Sequence, residues 1–355
     1  MRVCFLGDAG SIHLQRWVQY FVEAGYQVEV ISFRPCTIKG AKVHLLARGQ
    51  SGRIAYIMAL SKIRRLLEEI QPDILHAHYA TSFGLLALVS GFSPLVVSAW
   101  GSDVLVAPQE SSFLRVIVSQ VLKHADALTS DSEYMSQRMR ELLKGQEKIL
   151  KTVTMGVSRD WFEQLPSVDK KMHQILSLRG HQSIYNIDIV IQAMAEVVQS
   201  IPEARLIIAG EGPETQNLRT LAQSLKLEKN IQFVGQLPHA AVQSYLNESA
   251  VSVSVPSSDA TAVSLLETMA CGSFPVVSEL PANREWIDQE VNGLLVPSKD
   301  AGALAKALIR ALEDSDLRTQ AQEINRQRVK EKAIWEENMR EMEELYQALI
   351  TQGKK

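Results

Sequence analysis

The chain has 355 residues, 46% apolar and 22% charged, with a formal net charge of −3. That length exceeds what one core needs and suits two domains, while the near-neutral balance excludes a global attraction to nucleic acid. Cys4, Cys36 and Cys271 are odd in number and match no metal-ligand spacing, so free thiols in a reducing compartment are expected.

Residues 3–6 form a short apolar run, 7–11 a glycine-containing loop, 12–23 an amphipathic helix and 28–32 a second strand, a βαβ opening. The opening run is too short for a secretory leader. Its glycines lack the G-x-G-x-x-G spacing and no acid follows at the ribose distance, which excludes a dinucleotide fingerprint. Between 34 and 65 each charged residue is basic: Arg34, Lys39, Lys42, Arg48, Arg53, Lys62, Arg64 and Arg65. This surplus offers a face for anionic lipid headgroups, at about 1 kcal/mol per residue, or for a charged acceptor. Bases paired elsewhere in the fold are the equal alternative.

Strands over 73–77 and 95–98 flank a helix over 83–89. The strands run into His76-Ala77-His78-Tyr79 and Trp100-Gly101-Ser102-Asp103. The apolar stretch 83–100 is broken at Ser90-Gly91 and Ser93-Pro94, so it reads as helix plus strand and not as a membrane span. A strand over 125–130 leads to a helix with Ser130 and Glu133 as a capping box, and a strand over 149–153 ends the first half. This alternation predicts a parallel doubly wound sheet with function at the strand exits.

After Lys170-Lys171 the alternation restarts, with strands over 175–178, 204–209 and 231–234 and helices over 187–198 and 215–225: a second Rossmann-like domain. Gly210-Glu211-Gly212-Pro213 follows a strand and marks a close backbone approach. Residues 250–255 read as a buried parallel strand ended by Pro256. Ala262, Leu265, Leu266, Met269 and Ala270 then recur on one face of a helix that starts near Thr261 and stops at Gly272. The first-turn amides of Thr261, Ala262, Val263 and Ser264 lie beyond a strand's carboxyl end, where a phosphate binds. Glu267, roughly 7–9 Å further along the helix, is at ribose distance from such a phosphate; a solvated helix residue is the competing reading. The tail over 331–352 is helical, with Ile334, Met339, Met342 and Leu345 on one face and Trp335 and Tyr346 as large anchors, and the pattern equally permits packing within the fold or a partner-binding helix.

Asp259 and Glu267 stand in a Ser-Asp-x7-Glu-x-Met-Ala-x-Gly-x-x-Pro-Val-Val string that resembles the E-x7-E segment of the GT4-type retaining glycosyltransferases (glycosyl transferases group 1). The match continues through Ser278, Asn283-Arg284-Glu285 and Asn292-Gly293-Leu294-Leu295-Val296-Pro297, and the resemblance covers both halves. It implies an α/β protein of the GT-B fold, two Rossmann-like doubly wound parallel-sheet domains facing a cleft. The implied divisions are 1–157 for the acceptor, 158–330 for the nucleotide sugar and 331–355 for a terminal helix packing back on the first domain, with a hinge at Met155-Gly156-Val157.

The implied activity is that of a hexosyltransferase, EC 2.4. A sugar leaves a UDP- or GDP-sugar for a hydroxyl of a sugar or lipid-linked acceptor with retention, as in polysaccharide biosynthesis, without metal or bound cofactor. The expected place is the cytoplasm, including peripheral attachment at the inner membrane face. Carried over residue by residue, Arg179 and the 261–264 amides hold the diphosphate, Gly210 and Gly212 pass under the nucleotide, Glu267 grips the ribose and Asp259 the donor sugar. Gly10, Ser11 and His13 border the acceptor and donor cleft, with a satisfied structural histidine as the competing reading of His13, and Asp103 faces the acceptor, with helix capping as its competing role. Four residues depart from the pattern. Trp100 stands where histidine is usual, Asp259 where glutamate is, and Tyr185-Asn186 where Lys-Gly is, which leaves Arg179 without a second cation. Two rivals therefore stay open, a sugar-nucleotide 2-epimerase of similar architecture and a non-catalytic binding subunit.

Overall fold

The computed structural model describes residues 1–46, 52–163 and 170–353. The chain divides into two compact units, Met1–Val153 with Met339–Lys355, and Thr154–Asn338.

The first unit is built on β1 (Arg2–Leu6), β2 (Gln27–Ser32), β3 (Ala41–Leu45), β4 (Ile74–His78), β5 (Leu95–Ser98), β6 (Ala127–Ser130) and β7 (Ile149–Thr152). They form one parallel sheet in the order β3-β2-β1-β4-β5-β6-β7. Helices cover both faces of such a sheet, so its central strands are buried at each position, as β4 is. In the Ile12–Glu23 helix, Leu14, Trp17, Val18 and Phe21 are the buried stripe, at the i, i+3, i+4, i+7 spacing that turns one face inward. The winding runs one way from β1 and the other way from β4, which places the switch point between those two strands. Tyr346 of the last helix, Trp335–Gly353, is buried in this unit. Its hydroxyl meets His76 Nδ1 and its ring stacks on Phe21 at 5.1 Å.

The second unit carries β8 (Lys171–Leu178), β9 (Arg205–Ala209), β10 (Ile231–Gly235), β11 (Ser249–Ser254), β12 (Phe274–Ser278) and β13 (Leu294–Val296), parallel in the order β10-β9-β8-β11-β12-β13. One face buries Ile175, Leu206, Val251 and Val276 with the Ile187–Ser200 and Ala301–Glu313 helices. The other buries Leu176, Ile207 and Val277 with Leu265, Leu266 and Met269 of the Val263–Ala270 helix. Full burial of a leucine or methionine side chain contributes about 1.5–3 kcal/mol, so this short helix is held by its packing. Its position follows from the five apolar residues expected on one face, each of them buried. Winding reverses between β8 and β11.

Three local expectations shift. The helix after β6 is capped by Ser132, which accepts from the Met135 amide, while Ser130 ends the strand and bonds Ser136. The tail is not one helix from 331. The Ser315–Lys332 helix stops where Val157 pairs with the 333–335 backbone (Val157 N to Ala333 O, 2.8 Å; Trp335 N to Val157 O, 3.0 Å), and a new helix starts at Trp335. The helix expected from Thr261 begins at Val263, because Ala262 is extended (φ −69°, ψ 124°). No helix among the described residues is long and apolar enough to cross a membrane.

Candidate functional site

The switch point of the second unit gathers residues from the ends of two adjacent strands. Arg179 directly follows β8, and the loop after β11 brings Asp259 back to it. Arg179 Nη2 donates to Asp259 Oδ2 at 2.6 Å and Nη1 to Ser264 Oγ at 3.3 Å. The two charged side chains are only 10% and 22% exposed. The Arg179 guanidinium also lies over the Tyr185 ring, 4.1 Å from its centroid. Next to this cluster the amides of Val263 and Ser264 open the Val263–Ala270 helix with no backbone acceptor among the described residues, the arrangement that favours an anion. Glu267 is half-buried one turn deeper.

Thr261 and Ala262, expected among those amides, precede the helix. Thr261 is buried, and its hydroxyl accepts from Trp286 Nε1 at 3.3 Å. This tie anchors Thr261 ahead of the extended Ala262, so the helix starts two residues on.

Gly210 and Gly212 lie against the backbone that follows β8. A Cβ on Gly210, whose φ is +117°, would meet the Arg179 carbonyl at 2.4 Å, and one on Gly212 would meet the His181 carbonyl at 2.6 Å. The glycine pair thus lets the 179–181 backbone settle beside β9. Asn186 explains half of the Tyr185-Asn186 departure. It sits at φ +49°, ψ +43°, a left-handed position that asparagine tolerates better than most residues do. Its side-chain amide donates to Val255 O and Ser257 Oγ (2.8 and 2.9 Å), and the Ser257 amide donates to Ile184 O. Asparagine therefore does the backbone work of the usual glycine and pins the Ser183–Tyr185 turn to the end of β11. His181 carried no sequence signal. Its Nδ1 pairs with Thr215 Oγ1 at 2.8 Å, and its buried Nε2 has no partner among the described residues.

In the first unit the segments after β1, β4 and β5 hold the other expected residues, Gly10 in a loop and His13 and Asp103 in the first turns of helices. His13 is exposed and edge-on to Trp100 at 5.5 Å, and Trp100 is edge-on to buried His78 at 5.1 Å. Gly10 is exposed, its amide on Asp8 Oδ1, with Arg34 alongside. Asp103 is corrected. It is 1% exposed and does not present its carboxylate outward, since Oδ2 accepts from the Ala80 amide at 2.6 Å and Oδ1 from the Trp100 amide at 3.0 Å. Burial raises its pKa, and these donors oppose the shift. Asp103 ties the β4 and β5 exit loops together.

The basic run over 34–65 is partly consumed locally. Arg34 pairs with Asp8 and Arg65 with Glu69, while Lys62 and Arg64 donate to the Leu45 and Val89 carbonyls. Arg48 and the side chain of Arg53 lie outside the described residues.

With this geometry in place, two family models match the chain: glycosyl transferase 4-like over residues 2–132, and glycosyl transferases group 1 over residues 159–328. The chain is a GT4-type glycosyltransferase. It is 24% identical over 312 residues to N-acetyl-alpha-D-glucosaminyl L-malate synthase of Bacillus anthracis, covering 84% of this chain and 81% of that protein. It is 25% identical over 324 residues to phosphatidyl-myo-inositol mannosyltransferase of Mycolicibacterium smegmatis, covering 86% and 81%. Sucrose-phosphate synthase of Thermosynechococcus elongatus superposes with a TM-score of 0.84 over 99% of both chains at 19% identity. HepE of Anabaena, in complex with UDP-glucose, superposes with a TM-score of 0.83 over 98% of this chain and 100% of that chain at 16% identity. The fold of this glycosyltransferase is accordingly GT-B, and its reaction class is glycosyl transfer, EC 2.4.

Proposed function

We propose that this glycosyltransferase moves a sugar from a nucleotide-diphosphate donor to an acceptor hydroxyl, with retention at the anomeric carbon and without a metal. The observation that carries this reading is the meeting of Arg179, Ser264 and the Val263 and Ser264 amides at the β8–β11 switch point. As the bond from the anomeric carbon to the diphosphate breaks, its electron pair leaves with the phosphate. Arg179 and the helix amides offset that charge while the sugar becomes oxocarbenium-like, and the acceptor oxygen closes the new bond as its proton passes to the departing phosphate oxygen. Glu267 holds the ribose and Asp259 the sugar hydroxyls. UDP-glucose in the structurally similar HepE supports a donor of this kind. On the acceptor side the reading keeps the exposed His13 and Gly10 and drops Asp103 in favour of its role as a loop tie.

A lipid-linked acceptor and peripheral attachment to an anionic membrane are part of the proposal. Their support is the Ser112–His124 helix, where Phe113 is 73% and Val116 59% exposed and the charged residues are Arg115 and Lys123. A relative acting, by its name, on phosphatidyl-myo-inositol points the same way. The rivals are less favoured, since the relatives are named as synthases and transferases.

The test is product analysis after incubation with UDP-, GDP- and ADP-sugars, with and without sugar and lipid acceptors. Transfer that requires an acceptor supports the reading. A donor isomerised without acceptor would install the epimerase instead, and binding without any turnover the non-catalytic subunit.

A further inference from the structure

We propose that Tyr185 is a positioning residue for Arg179, taking by its ring face the place that a second cation would hold. The inference rests on the donor-site reading above and deepens it. Tyr185 ends the Ser183–Tyr185 turn, is half-buried, and packs against the core of the second unit. The guanidinium 4.1 Å above its centroid commits its two terminal nitrogens to Asp259 and Ser264. A lysine in this place would add a charge, yet it would repel Arg179 at close range. A tyrosine attracts it through the ring quadrupole and leaves it one fixed orientation. The platform itself is held by groups on the other side of the switch point, through the Asn186 amide on Val255 and Ser257 and the Ser257 amide on Ile184. Tyr185 thus supports a single, pre-aimed fork in place of two cations. The binding of a diphosphate then depends on the orientation of Arg179 more than on total charge.

The experiment is a double-mutant cycle on the full chain by titration calorimetry, with UDP, GDP and ADP as ligands and the matching nucleosides as controls. Tyr185→Phe keeps the ring and is expected to bind the preferred diphosphate within about twofold of wild type. Tyr185→Leu removes the ring and is expected to weaken it about tenfold without changing nucleoside binding. In an Arg179→Met background the same Tyr185→Leu change is expected to have no further effect. A merely structural role would weaken nucleoside and diphosphate alike, and the loss would persist without Arg179; either result overturns the inference and leaves the donor site standing. Wild type that binds none of the three diphosphates removes the donor site and the role of Tyr185 together.

Discussion

Arg179 and Asp259, 80 residues apart in the chain, share a 2.6 Å ion pair at the β8–β11 switch point. The cation proposed to meet a diphosphate is therefore already engaged by the carboxylate proposed to meet the sugar. Removing that competitor frees Arg179 and lifts the repulsion of a bound anion. Asp259→Asn is expected to tighten UDP by roughly fivefold, a gain of about 1 kcal/mol. The transfer rate is expected to fall by about tenfold or more, since the sugar loses a charged partner needed in the transition state. Weaker UDP binding together with a slower rate would mean that Asp259 holds the site open and does not compete.

Glu267 is half-buried on the helix whose first amides face the switch point. If it grips the ribose, Glu267→Ala must lose nucleotide binding without unfolding the helix, whose packing is carried by Leu265, Leu266 and Met269. A ligand at a hundred times its Kd adds about 2.7 kcal/mol. Thermal unfolding with and without UDP, GDP or ADP should show this increment for one base in wild type and none in the variant. The unliganded variant should stay within about 1 kcal/mol of wild type. Undiminished binding by the variant would take Glu267 out of the site.

Gly210 has φ +117°, and its would-be Cβ lies 2.4 Å from the carbonyl of Arg179. Gly210→Ala has no flexible neighbour to push aside, so the Arg179 backbone must move. Strain of this kind costs about 1–3 kcal/mol, and the guanidinium leaves its ring and carboxylate. Diphosphate binding should fall at least as far as in Tyr185→Leu, transfer should fall with it, and the melting temperature should drop. A fully active Gly210→Ala would show that the 179–181 backbone is not what fixes Arg179.

Much of this was legible from local pattern. The period of Leu265, Leu266 and Met269 and the stop at Gly272, whose φ is +67°, are written in consecutive residues, as is the alternation that yields two parallel sheets. The rest depends on partners far away. The helix start at Val263 follows from Thr261 meeting Trp286, 25 residues on. The fate of Asp103 follows from an amide at Ala80 that spacing does not reveal. Ser130 and Ser132 both fit a cap, and only the place where β6 ends chooses between them. The Tyr185-Asn186 pair separates the two kinds of information: Asn186 answers a backbone angle, while Tyr185 acquires meaning only with Arg179 over its ring.

Phe113 and Val116 are adjacent on one face of the Ser112–His124 helix and strongly exposed. Seating two apolar side chains in a lipid interface gives about 1.5–3 kcal/mol each, and a nearby basic residue about 1 kcal/mol. Flotation with phosphatidylglycerol vesicles should recover wild type, release only a part of it at 0.5 M salt, and recover little of a Phe113→Ser/Val116→Ser variant. The double variant should keep its activity on a water-soluble acceptor. Equal flotation of both proteins would remove this face from any membrane contact.

His76 and His78 stand 4.3 Å apart at the end of β4, fully buried among Phe5, Trp17 and Trp100. His78 has no hydrogen-bond partner for either nitrogen among the described residues. Burial pushes the His76 pKa well below its ordinary value and that of His78 down to about 3. Unfolded, both titrate near pH 6.5, so the unfolded chain takes up protons that the folded unit refuses. Stability is complete above that pH and is lost as pH falls from there toward 3, by about 1.4 kcal/mol per pH unit for each histidine. Asp103 acts with the opposite sign, because its raised folded pKa favours the folded state once the pH nears the carboxylate range. Amide exchange of β4 reports this unit alone and suits a chain of two units. Between pH 7 and 5 the opening free energy of β4 should fall by roughly 4 kcal/mol in wild type and by about half that in His78→Phe. Tyr346→Phe, which strips His76 Nδ1 of its hydroxyl partner, should cost about 1–3 kcal/mol at both pH values without changing the slope. Identical acid losses in wild type and His78→Phe would assign the sensitivity to groups other than this histidine pair.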